Sequence, residues 1–94
     1  MEDALLLRKV FLGPAHRSTG ATKHTIAGKP MVQPSELRII RHHHEPGYYL
    51  LYCDSDGKDM TDTWHEREED ALAQAEFEFR VTPSDWTIIH PSTP

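Results

Sequence analysis

The pattern of apolar and polar residues predicts two neighbouring strands in the second half of the chain. Residues 48–54 (YYLLYCD) are almost wholly apolar, residues 59–65 (DMTDTWH) mix apolar and polar positions, and the Asp56-Gly57 pair between them is typical of a type I′ hairpin turn. Residues 36–43 predict a strand before them, joined through a turn at 45–47. The pattern therefore indicates an antiparallel meander.

A helix follows the meander. Over residues 67–81, Ala71, Leu72, Ala75 and Phe79 fall within about 100° of one another on a helical wheel, so this stripe should pack on the sheet. Acidic residues crowd the start of the segment, where they complement the helix dipole, and Pro83 ends it.

The remaining segments are less regular. Residues 5–12 predict a first strand, with a short helix as the alternative, and residues 86–89 predict a short last strand or a segment packed over the core. Residues 13–35 are rich in Gly, Pro, Ser and Thr and predict a long flexible loop. The expected fold class is a single α+β domain over residues 1–94: an antiparallel β-meander of three or four strands, with one C-terminal helix packed on one face. Its best-specified part is the β-β-β-α region 36–89.

The hairpin register assigns side chains to the two faces of the sheet. Centring the turn on Asp56-Gly57 pairs Tyr49 with Trp64 and Leu51 with Asp62. The face that carries these pairs is the more apolar, so we expect it to lie under the helix, with Asp62 directed at the core. A three-residue turn at 45–47 adds Leu37 and Ile39 to this face, whereas a two-residue turn adds histidines. The opposite face then exposes three residues, Tyr48, Leu50 and Tyr52.

Charge and composition narrow the class of protein. Residues 1–44 carry seven basic and three acidic side chains, while residues 45–94 carry three and twelve, for a net charge of −5. The acidic half disfavours nucleic acid and favours basic protein surfaces as partners. No apolar run suits a membrane span or a secretory signal, and the one cysteine, Cys53, has no partner for a disulfide. We therefore expect a cytoplasmic, globular protein.

Aromatic side chains in an acidic frame are the candidate binding residues. An exposed ring supplies an apolar anchor, and surrounding carboxylates steer a basic partner towards it. No nucleophile motif, phosphate loop or paired-cysteine motif is present, so we expect no enzymatic activity and no cofactor. The leading hypothesis is a non-enzymatic interaction protein, such as an inhibitor or immunity-type protein for a basic partner. The predicted contact residues are Tyr48, Tyr52, Phe77, Glu69, Asp70 and Glu76.

A histidine cluster supports a second hypothesis. His42 and His44 are two residues apart, so they share one face of a strand, and His65 lies across the predicted sheet in line with His44. These three side chains are the candidate ligands of a metal-binding protein. Self-association as a homodimer is a third alternative.

The string YYLLYCDSDGK, followed by TDTWH, EDALAQAEFEF and a Trp five residues past Val81, resembles a group of small uncharacterised bacterial proteins. The resemblance covers residues 36–86 and supports the fold. It implies a bacterial source but brings no activity, cofactor or catalytic residue. In that group a Gly usually follows the last Phe of the helix, whereas Arg80 stands there in this chain.

Overall fold

The computed structural model describes residues 4–13, 25–26, 29–30 and 34–90. The main sheet consists of strands β1 (Ala4–Phe11), β4 (Glu36–His42), β5 (Tyr48–Cys53), β6 (Asp59–His65) and β7 (Thr87–Ile88). A separate pair, β2 (Thr25–Ile26) and β3 (Lys29–Pro30), falls inside the predicted loop, most of which lies outside the described residues. One helix, α1 (Glu68–Phe79), and a short 3-10 turn (Pro83–Asp85) complete the described chain.

The main sheet is antiparallel, in the order β6-β5-β4-β1-β7. The predicted α+β class and the meander β4-β5-β6 are confirmed, and β1 and β7 extend the sheet to five strands. The long strand β6 forms one edge, and the two-residue strand β7 forms the other.

The core lies between α1 and one face of the sheet. That face carries Leu37, Ile39, Leu50 and Tyr52, all fully buried, and α1 covers them with Ala71, Ala75 and Phe79. The helical stripe was predicted correctly. The sheet face was not, because α1 packs on the Leu50 and Tyr52 face rather than on the face of Tyr49 and Trp64.

The register between β4 and β5 differs from the predicted one. Residues 43–47 connect the two strands, and the register pairs Ile39 with Leu50 and Ile40 with Tyr49. The three-residue turn predicted at 45–47 would instead pair Ile39 with Cys53, three positions along β5, and a shift by an odd number of residues exchanges the two faces of β4 relative to β5. His42 accordingly lies beside Tyr49, with ring centroids 5.3 Å apart.

The β5–β6 hairpin keeps most of its predicted register. Tyr49 pairs with Trp64 and Leu51 with Asp62, as expected, but a bulge pairs Cys53 with Asp59. The turn is not type I′, because that type requires a positive φ at both central residues. In this turn only Gly57 has one, at +79°. The carboxylate of Asp54 accepts the backbone N–H groups of residues 56 and 58, each at 2.9 Å, which closes a wider turn.

Arg80 ends the helix in a left-handed conformation, with φ 60° and ψ 30°. Its backbone N–H donates to the carbonyl of Glu76 at 2.9 Å. Glycine favours this position because it lacks the Cβ atom that crowds the left-handed region. The helix therefore ends as though a glycine were present, at a cost in backbone energy.

Candidate interaction surface

The exposed side of α1 carries one aromatic ring among acidic side chains. Phe77 is 58% exposed, and Glu69, Asp70 and Glu76 are exposed around it. The helix contains no Lys, Arg or His, and its exposed carboxylates are those of Glu69, Asp70 and Glu76. Of the predicted contact residues, these four remain on the surface.

The helix is fixed on the sheet by a partly buried ion pair. The Nε of Arg8 on β1 donates to a carboxylate oxygen of Glu68 at 2.8 Å, and both side chains are largely shielded from solvent. This contact anchors the first turn of α1 on the β1 side. Asp70 and Phe77 share another stripe of the helix, because seven residues make nearly two full helical turns.

Tyr52 is not a surface residue, and the prediction that it is exposed is wrong. It is fully buried beneath α1, where its hydroxyl donates to the carboxylate of Glu78. The amide of Gln74 donates to the same carboxylate oxygen at 2.8 Å. Burial and the bond to Glu78 raise the pKa of Tyr52, so it remains a neutral donor at physiological pH.

The polar network continues to the edge of the sheet. Thr63 lies next to the Tyr52 hydroxyl, and Thr63 Oγ1 lies 2.8 Å from Nε2 of His65. Thr63 or His65 is the donor of this hydrogen bond according to the tautomer of the imidazole. The polar groups therefore run from His65 through Thr63 and Tyr52 to Glu78.

His65 itself is half-buried at the end of β6. Burial lowers the pKa of His65, and the nearby carboxylates of Asp70 and Glu78 partly offset that effect. The neutral imidazole therefore prevails at neutral pH.

Sequence reasoning missed Glu78 as the centre of this network. Seven residues separate it from Ala71, so the helical wheel places both on the buried side of α1. That signal was available, but a carboxylate in a run of acidic residues is ordinarily solvated. The donors that face it, among them the Tyr52 hydroxyl and the Gln74 amide, explain its burial.

Tyr48 occupies an intermediate position. Its ring packs against the core, and the guanidinium of Arg41 lies 5.5 Å from the ring centroid. Tyr48 also lines a shallow depression of about 360 Å³ between the end of β6 and the start of α1. The other residues that line it are Glu66, Arg67, Glu68 and Glu69.

The three histidines of the metal hypothesis do not converge. His42 lies on the helix-free face and His65 on the helix face, while His44 is in the exposed connection after β4. Within residues 4–13 and 34–90, no group of three His, Cys, Asp or Glu side chains is placed to hold a metal ion.

The helix-free face of the sheet is partly closed by its own side chains. Trp64, 51% exposed, lies over Gly47 and donates from its indole to the carbonyl of Pro46 at 3.2 Å. Asp62, expected in the core, is exposed here. Cys53 is buried. Its burial and, to a smaller extent, its contact with Asp59 raise the pKa of the thiol to about 12, so the thiol stays protonated and unreactive.

None of the helices in the part of the chain that the structure describes has the length and apolar content to cross a membrane. Comparison with known proteins finds no match to this chain among family models, curated proteins or solved structures.

Proposed function

We propose that the protein is a non-enzymatic interaction module that binds a basic protein partner through the exposed face of α1. The observation that carries this proposal is the large exposed ring of Phe77 on a helix with no basic residue. Single exposed aromatic residues are common, but an aromatic residue among carboxylates offers a basic partner both an apolar contact and charge complementarity.

The two kinds of residue have separate roles in this proposal. Phe77 supplies apolar area that becomes buried on binding, which sets the lifetime of the complex. Glu69, Asp70 and Glu76 attract basic side chains and raise the association rate, an effect that salt weakens. An inhibitor or immunity-type role in the cytoplasm is the specific form of the proposal, because such proteins cover a basic active surface with an acidic one.

The experiment is a capture of partners from a lysate of the source organism, with matched aromatic variants as bait. Phe77→Ser removes the anchor, and Phe11→Ser removes an equally exposed ring, 66% exposed, from β1. We expect the wild type and Phe11→Ser to capture the same basic protein. Phe77→Ser should weaken its binding by roughly tenfold or more, the loss typical of a central anchor.

Two results contradict the proposal. The first is capture of the same partner by Phe77→Ser with unchanged affinity, because the anchor would then be dispensable. The second is an affinity that stays constant when ionic strength rises from about 0.05 to about 0.3 M, because an acidic surface acts through charges that salt screens.

A further inference from the structure

Strand β6 is an open edge of the main sheet. It spans Asp59–His65, and in the part of the chain that the structure describes β5 is its only neighbour in the sheet. Within the described residues, no other strand and no turn or loop hydrogen bond satisfies the backbone groups on its outer side. A strand of this length presents roughly 20 Å of N–H and C=O groups that another extended chain can pair with.

The charges along this edge select what pairs with it. Residues 59–70, which run from β6 into the first turn of α1, contain six acidic side chains and one basic. Asp62 stands exposed at the middle of the strand. A second copy of β6 centred on the same residue would oppose two carboxylates, which destabilises an antiparallel pair, whereas a basic segment would neutralise them.

The edge is continuous with the helix surface described above. Asp70 lies close enough to His65, the last residue of β6, to favour its protonated form, and Phe77 shares the helical stripe of Asp70. The depression lined by Tyr48 and the carboxylates of the first helical turn opens at the same end of the strand. An extended segment on β6 would therefore end among further acidic groups.

We propose that β6 binds an extended basic segment of the partner, which adds a sixth strand to the main sheet with a Lys or Arg opposite Asp62. Main-chain hydrogen bonds supply the pairing, and alternate side chains supply the specificity. This inference rests on the proposed function, since it specifies how the basic partner engages the same side of the molecule.

The test is a titration of isotopically labelled full-length protein with a short peptide of alternating lysine and valine, followed by amide NMR. A peptide of alternating glutamate and valine is the control for charge. The variant Asp62→Lys reverses the charge at the centre of the edge. Asp56→Lys makes the same change of net charge in the exposed hairpin turn and serves as its matched control.

We expect the lysine peptide to shift the amide signals of Asp59–His65 and to slow their hydrogen exchange, and the glutamate peptide to do neither. Asp62→Lys should weaken binding roughly tenfold, because attraction to the facing cation becomes repulsion, while Asp56→Lys should have a much smaller effect. Unchanged amide spectra outside the substituted site establish that both variants remain folded.

Three results overturn the strand-addition proposal. Shifts confined to α1 place the peptide on the helix alone, and equal binding to the two variants removes the role of Asp62. Absence of lysine-peptide binding at millimolar concentration removes the edge as a site. None of these results affects the capture experiment with Phe77→Ser, so the proposed function is tested independently of strand addition.

Discussion

Replacing Tyr52 by phenylalanine tests the buried network under the helix. The substitution removes one hydroxyl from a fully buried side chain and keeps the ring, whose centroid lies 6.1 Å from that of Phe79. Glu78, only 2% exposed, then loses its Tyr52 donor and keeps the amide of Gln74. The perturbation therefore changes hydrogen bonding with little change in packing.

The expected loss follows from the charge on the acceptor. A hydrogen bond to a charged group contributes about 1.5–3 kcal/mol, and a buried carboxylate left short of donors keeps its desolvation penalty. We therefore expect Tyr52→Phe to lower the free energy of unfolding by about 2–3 kcal/mol. In a domain of this size such a loss lowers Tm by roughly 10–20 °C.

Urea unfolding followed by tryptophan fluorescence measures this loss at pH 7. Tyr49→Phe is the matched control, because its hydroxyl meets Glu45 at 3.5 Å on the surface, and its effect on the free energy of unfolding should be much smaller. The double variant Tyr52→Phe/Glu78→Met also removes the carboxylate that has lost this donor and should recover part of the loss. A Tyr52→Phe protein as stable as Tyr49→Phe would refute the reasoning.

The same network predicts the alkaline behaviour of the protein. Burial and the Glu78 contact raise the pKa of Tyr52 in the fold, whereas the unfolded chain releases this proton near pH ~10. Above that pH the unfolded state binds fewer protons than the native state, so stability falls as pH rises. Urea titrations across this range should show a smaller alkaline loss for Tyr52→Phe than for the wild type.

Three other substitutions have defined outcomes. Burial lowers the pKa of His65, so the unfolded state takes up more protons than the native state as pH falls through about 6.5, and stability is lost. His65→Asn should therefore reduce the dependence of the unfolding free energy on pH between pH ~7 and ~5. His43→Asn, in the exposed turn, should leave that dependence unchanged. Gly47 has φ +89°, and a Cβ there would overlap an indole ring, so Gly47→Ala should cost about 2 kcal/mol or more in urea unfolding, whereas Gly13→Ala, with no atom within 4 Å of its Cβ, should be neutral. Arg80→Gly relieves the left-handed backbone at the helix end and should raise stability by about 0.5–1 kcal/mol; a calorimetric Tm at or below that of the wild type would contradict the strain.

Local signals in the sequence predicted the strands of the main sheet, the helix and most of the β5–β6 register. Strand β6 has the predicted bounds, and α1 lies within the predicted segment 67–81. The Tyr49–Trp64 and Leu51–Asp62 pairs were recovered because a short hairpin fixes register from nearby residues. The exposed Phe77 followed from helical periodicity, which needs no knowledge of the rest of the fold.

The sequence determined the α+β class, the meander, the buried stripe of α1 and its acidic exposed side, because each depends on residues a few positions apart. Only the tertiary structure decided which face of β5 is the core. The run YYLLYC is apolar on both faces, so alternation alone does not distinguish them. The choice depends on the register between β4 and β5 and on the Tyr52–Glu78 contact, which joins residues 26 positions apart. Contacts of that range form only when the helix packs on the sheet. They place Tyr52 in the core rather than on the predicted binding surface.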